Sequence, residues 1–222
     1  MQQAHILFPR IDSQRDIQSG RWYPTAQVLS NGSVLVMGGE NGPNGPPNPT
    51  LEILPQIPGG NTQVFLDWHN RTDPNNLYPF IHVLPSGLIF VGTLTVPNYP
   101  PVIALADMLI AYYNEARLLD PVTFATLAVL PNIPGSVNNP LAGRNYPMEG
   151  ASVLLPQHAP YTAKSTVLIC GGSDSDGNAL DNCVSIQPEA TNPTWVIERM
   201  VCTYVFPSDS SSCSLIFSRL NV

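Results

Sequence analysis

Residues 21–39 read RWYPTAQVLSNGSVLVMGG, and the fold is decided by how this stretch is read. Val34 and Val36 alternate with Leu35 and Met37, the pattern of a short strand that is apolar on both faces. The Ser-Asn-Gly-Ser run ahead of it, residues 30–33, supplies turn chemistry, because Asn-Gly readily takes the positive φ angles of a tight hairpin. The stretch is therefore a Tyr-Pro entry, a strand, a turn, a second strand and a diglycine.

The same order returns twice. LYPFIHVLPSGLIFVG occupies residues 77–92, and NYPMEGASVLLP (145–156) with STVLICGG (165–172) forms a third copy around a longer connection. Tyr23 and Tyr78 are 55 residues apart, and Tyr78 and Tyr146 are 68 apart. After each glycine a polar loop leads into further strands: PTLEILPQ, EARLLDPVTFATLAVLP with DPVTFA as a turn, and CVSIQPEATNPTWVIERM. Four strands per unit at a period near fifty is the signature of a kelch-like β-propeller blade. The fold expected is all-β, about three blades of an incomplete propeller, since closure takes four to eight. Open blades leave sheet edges through which copies could self-associate. The diglycines are expected where backbone passes closely between blades and a side chain would clash.

Domain organisation follows from the repeat. Residues 1–200 read as one partial propeller domain, with the strand before the second long loop ending at Gly92. Segment 93–111 reads as an atypical insertion, and 201–222 as a tail that leaves the repeat. Both odd segments are readable as translated introns, which the genomic sequence would test.

Composition agrees. The chain of 222 residues has 24 prolines and 16 glycines, too many for a helix-rich protein. Its net charge of −7 comes from scattered acids with no basic run, which excludes a nucleic-acid partner. The longest apolar run, 102–113, is too short to span a membrane and holds Asp107. The first ten residues lack a basic start and apolar core, so no signal peptide is expected in this chain.

Five segments in order, RWYPTAQVLSNGSVLVMGG, NPTLEILP, NLYPFIHVLPSGLIFV, RNYPMEGASVLLP and TVLICGGSD, resemble the glyoxal oxidase family of copper-radical oxidases, relatives of galactose oxidase, in the N-terminal part of its propeller domain. The resemblance implies a secreted enzyme that turns a small aldehyde, oxygen and water into a carboxylic acid and hydrogen peroxide. It also implies one copper ion held by two histidines, an axial tyrosine and an equatorial tyrosine cross-linked to a cysteine. Imidazole and phenolate suit copper, and the thioether bond eases formation of a tyrosyl radical.

Tyr23 matches the family's cross-linked radical tyrosine and is the candidate catalytic and copper-binding residue. Its cysteine partner should lie upstream, yet residues 1–22 hold no cysteine, and no Tyr-His pair occurs anywhere in the chain. The expectation is therefore a fragment with one residue of an incomplete copper site, binding no catalytic copper and showing no oxidase activity. Tyr78 and Tyr146 occupy the same repeat position, so tyrosine there has a packing reading of equal weight. The alternative function is a non-catalytic kelch module that presents loops to a protein or a glycan. His5, His69, His82 and His158 are isolated and read as surface or structural histidines.

Cysteines stand at 170, 183, 202 and 213. Cys170 and Cys183 flank a turn-rich loop between two strands and are a disulfide candidate that fits an extracellular parent. The alternative is a pair of buried thiols. Neither cysteine pair has zinc-site spacing. Asn31-Gly-Ser and Asn70-Arg-Thr are glycosylation candidates. Asn31 also has a bland reading as a hairpin-turn residue.

Overall fold

A computed structural model describes residues 17–55, 63–70, 77–95, 113–135, 142–174 and 176–200. Among them lie twelve strands and one short helix. The first unit holds β1 (Thr25–Val28), β2 (Val34–Met37), β3 (Thr50–Leu54), β4 (Gln63–Phe65) and α1 (Asp67–Asn70). The second holds β5 (Phe80–Val83), β6 (Ile89–Thr95), β7 (Tyr113–Leu119) and β8 (Thr126–Leu130). The third holds β9 (Ala151–Leu154), β10 (Val167–Cys170), β11 (Asn182–Ile186) and β12 (Val196–Arg199). Each unit is a four-stranded antiparallel sheet with its strands in chain order. None closes into a barrel. The protein is all-β, an open arrangement of blades.

Local chemistry sets the hairpins. In the first, Thr25 pairs with Met37 and Val28 with Val34, and Gly32 takes φ 82° in the turn between them. A side chain there would be strained, so the Asn-Gly sequence fixes register as well as direction. In the second unit the Asp120 carboxylate accepts from the amides of Val122 and Thr123 (2.9 and 2.7 Å). That folds the chain between β7 and β8, and the Thr123 amide first of all holds the carboxyl below the usual carboxylate range.

The blades stack through two cores. Leu35, Met37 and Leu51 of the first blade meet Ile81, Ile89, Val91 and Leu119 of the second. The second blade's other face offers Phe90, Ala116, Leu118 and Ile133 to Val167, Ile169, Val184 and Ile186 of the third. The middle blade is therefore buried on both faces, and Ile89, Phe90 and Val91 of β6, which face the two cores in alternation, read as a continuous apolar run. Each fully buried Leu or Ile contributes roughly 1.5–3 kcal/mol, so this stacking is the main driving force for association of the blades. The first strand of each blade lies beside the next, β1 against β5 and β5 against β9.

Two expectations need correction. The strand does not end at Gly92: Thr93, Leu94 and Thr95 extend β6 and pair with Glu115, Asn114 and Tyr113. Residues 96–112, the rest of the supposed insertion, lie outside the described residues, as does the 201–222 tail. The diglycines mark close approach within a blade, not between blades. A Cβ on Gly39 would stand 2.7 Å from the Trp22 carbonyl oxygen, and one on Gly172 would strike the Gly143 carbonyl. Each second glycine lets the strand exit press on its own blade's entry segment.

Cys170 and Cys183 are direct partners across β10 and β11. They form a disulfide with Cα atoms 4.0 Å apart. Cys202 and Cys213 lie outside the described residues.

Candidate functional site

The three Tyr-Pro entries converge. Tyr23 lies nearly parallel to Trp22 (ring centroids 3.7 Å, 14°) and to Tyr78 (4.9 Å, 22°). Tyr146 meets Tyr23 edge-on at 5.4 Å and Tyr78 at 5.9 Å. The Tyr23–Tyr78 stack and the two edge-on contacts of Tyr146 fall within the roughly 4.5–7 Å centroid range that aromatic pairs favour, whereas Trp22 lies closer, almost face to face. Tyr23 is half-buried in the cluster, while Tyr78 is 42% exposed.

The backbone holds these rings in an uncommon conformation. Tyr23 has φ 58° and Tyr78 φ 46°, the left-handed region that costs a bulky residue of order 1–3 kcal/mol. Several bonds hold it there. Trp22 and Glu40 exchange both backbone hydrogen bonds (2.7 and 2.9 Å). The Tyr78 amide donates to the Tyr23 carbonyl at 3.1 Å, and the Thr25 hydroxyl donates to the Pro79 carbonyl at 2.7 Å. From the third blade, Asn145 Nδ2 donates to the carbonyls of Tyr78 and Gly92 (3.2 and 3.3 Å). The entry segments of three blades are thus tied in series around the rings.

Sequence reasoning missed the arginines below this rim. Arg21 and Arg144 stand two residues before Tyr23 and Tyr146. Arg21 Nη1 donates to the carbonyls of Gly38 and Thr50, and Arg144 Nη1 donates to those of Gly171 and Asn182. Both reach the first glycine of the diglycine and the start of the third strand. The signal was present in the chain: copies one and three have Arg and Gly-Gly, whereas copy two has Asn76 and Gly92-Thr93. The two features travel together because the arginine binds the carbonyl that the glycines turn inward.

The three described histidines do not stack with these rings, and His5 lies outside the described residues. His69 is fully buried beside Trp68, and His158 is exposed. His82 on β5 bonds through Nε2 to the Ser152 hydroxyl on β9 at 2.5 Å. Burial holds its pKa below the ordinary histidine value, so the unfolded chain binds a proton more readily. The stability tied to His82 is therefore complete above about pH 6.5 and declines as pH falls through that value toward the lower folded one. Urea midpoints taken between about pH 8 and pH 5 should fall for the parent chain and flatten in His82→Asn.

The donors around Tyr23 are phenols and an indole. Among the described residues no group of three His, Cys, Asp or Glu side chains lies close enough to hold a metal ion.

A family model described as "Glyoxal oxidase N-terminus" matches residues 10–209. The chain belongs to this family. A WSC domain-containing protein of Arthroderma benhamiae is 57% identical over 185 residues, covering 83% of this chain and 18% of the relative. Aldehyde oxidase GLOX of Vitis pseudoreticulata is 27% identical over 194 residues, covering 83% of this chain and 31% of the relative. Aldehyde oxidase GLOX1 of Arabidopsis thaliana is 28% identical over 210 residues, covering 86% and 29%. The chain spans less than a third of the length of each relative. In this glyoxal oxidase N-terminal chain the motif tyrosine Tyr23 is the ring that all three aromatic neighbours touch.

Proposed function

We propose that this chain carries the early blades of a secreted copper-radical oxidase and that Tyr23 is its radical-tyrosine position. The parent reaction converts a small aldehyde, oxygen and water to a carboxylic acid and hydrogen peroxide. The observation that carries this reading is the family match across residues 10–209, joined to the central place of Tyr23 among the rings. The blades form one unit through residue 200, with 201–222 outside it. The Cys170–Cys183 disulfide supports an oxidising, extracellular setting.

The 222-residue chain by itself performs no such oxidation, because its sequence has neither a cysteine before Tyr23 nor a Tyr-His pair. Tyr23 supplies one ligand and carries no step of copper chemistry alone. Purified chain with copper and methylglyoxal should release no more peroxide than its Tyr23→Phe variant. Peroxide above that control would overturn the inactivity.

A second reading is a non-catalytic module that binds a protein or glycan or associates with itself at open blade edges. In its favour, the relative at 57% identity is named for a WSC domain and not for an oxidase. Sedimentation separates the two readings: concentration-dependent association favours the module.

A further inference from the structure

Export through a secretory pathway, the reading on which this inference rests, brings the Asn31-Gly32-Ser33 sequon before the transferase that modifies such motifs. We propose that Asn31 carries an N-linked oligosaccharide. The sequon lies in the turn between β1 and β2, with Asn31 and Gly32 exposed. This is the end of the hairpin away from Tyr23 and the aromatic rim, which precede β1, so a bulky group there obstructs neither the rings nor the apolar cores.

The side chain is set for the modification. Asn31 Oδ1 accepts hydrogen bonds from the Ser33 amide at 3.0 Å and from the Ser33 hydroxyl at 2.6 Å. The hydroxyl that the sequon requires is therefore already on the carboxamide, and it engages the oxygen. Asn31 Nδ2, the atom to be modified, has no hydrogen-bond partner among the described residues. The last strand pair before this turn leaves Val28 60% exposed opposite Val34. The apolar face of the first sugar would cover that valine, an apolar surface that the fold itself leaves wet.

The transfer balances with a pyrophosphate-activated oligosaccharide as co-reactant. A bond forms between Asn31 Nδ2 and the anomeric carbon of the sugar. The bond from that carbon to phosphate oxygen breaks, and the pyrophosphate leaves with the electron pair. One amide proton passes to a base of the transferase. Asn70 is also exposed, but its Thr72 lies outside the described residues and Asn70 carries no comparable argument.

The test is production of the full 222-residue chain in a yeast secretory pathway behind a supplied leader, followed by peptide mapping. The expected result is a hexosamine-containing glycopeptide at Asn31, in which peptide-N-glycosidase leaves an aspartate in place of the asparagine. Asn31→Gln and Ser33→Ala should each lose this glycan and its mobility shift, and Ser33→Thr should keep it. An unmodified Asn31 peptide in secreted protein whose Cys170–Cys183 bond is intact overturns the proposal, as does modification at Asn70 alone. The disulfide reports passage through the oxidising lumen independently of Asn31. Because the leader is supplied, failure at Asn31 is distinct from failure of the export reading, which is judged on the natural gene product.

Discussion

Replacing Arg144 with methionine should cost about 3–5 kcal/mol of unfolding free energy. That is a large part of the roughly 5–15 kcal/mol that holds an ordinary domain together. Arg144 is fully buried. Its Nε donates to the Pro134 carbonyl at 2.7 Å, Nη1 to those of Gly171 and Asn182, and Nη2 to the Gly135 carbonyl and Asn182 Oδ1. One planar fork thereby joins the segment leaving the second blade to two strand ends of the third. Methionine fills much of the space but leaves every one of those acceptors buried and without the arginine's donors. Lysine should rescue little, because it brings three donors on a point charge in place of a fixed fork. Burial pushes the guanidinium down to about 10, so it stays charged near neutral pH and the loss should not vary between about pH 5 and 8. Urea denaturation of Arg144→Met, Arg144→Lys and the parent decides this. A methionine variant with the parent's midpoint and slope would refute the assignment.

Glu52→Ala is expected to be nearly as damaging, for a different reason. The Glu52 carboxylate is 1% exposed and the Arg21 side chain 0%. Arg21 reaches it through Nε at 2.9 Å and Nη2 at 2.7 Å, and the Gln18 amide donates to its other oxygen at 2.7 Å. Removing the acid leaves a buried cation with only the carbonyls of Gly38 and Thr50 and the Thr50 hydroxyl. Breaking such a pair on one side costs about 3–5 kcal/mol. The double variant Arg21→Met/Glu52→Leu should recover much of the loss, since no charge then remains to be desolvated. Thermal unfolding of the single and double variants forms the cycle. A double variant that simply adds the two single losses would show that the pair is not coupled.

The contrast between these arginines also shows how far local sequence reaches. Both answer the same need, the inward carbonyls of a diglycine exit. Yet one is matched by a carboxylate two residues into the third strand's run, and the other by the amide of Asn182 at its start. The Arg-x-Tyr-Pro and Gly-Gly pairing was readable from repeat spacing once the copies were compared. Which oxygen completes the fork was not, because residues 21 and 52, or 144 and 182, meet only when β3 or β11 pairs within its sheet. The diglycine shows the same limit. Its need for missing side chains was legible, but the surface it presses on lies within its own blade.

The order of strands and turns belongs to the chain itself. Alternating Val and Leu, the Asn-Gly turn and the Asp120 turn act over a few residues, and such local preferences specify hairpins and an all-β class before any blades meet. The family likeness of Tyr23 was also legible, because it rests on a run of neighbouring residues. Tertiary structure alone decided that Tyr23, Tyr78 and Tyr146 share one aromatic cluster, and that His82 bonds across blades instead of approaching those rings. Those contacts join positions 55 to 123 residues apart. They exist because apolar burial stacks the blades, and that burial is non-directional: it brings distant segments together, while hydrogen bonds and ring packing select how they meet.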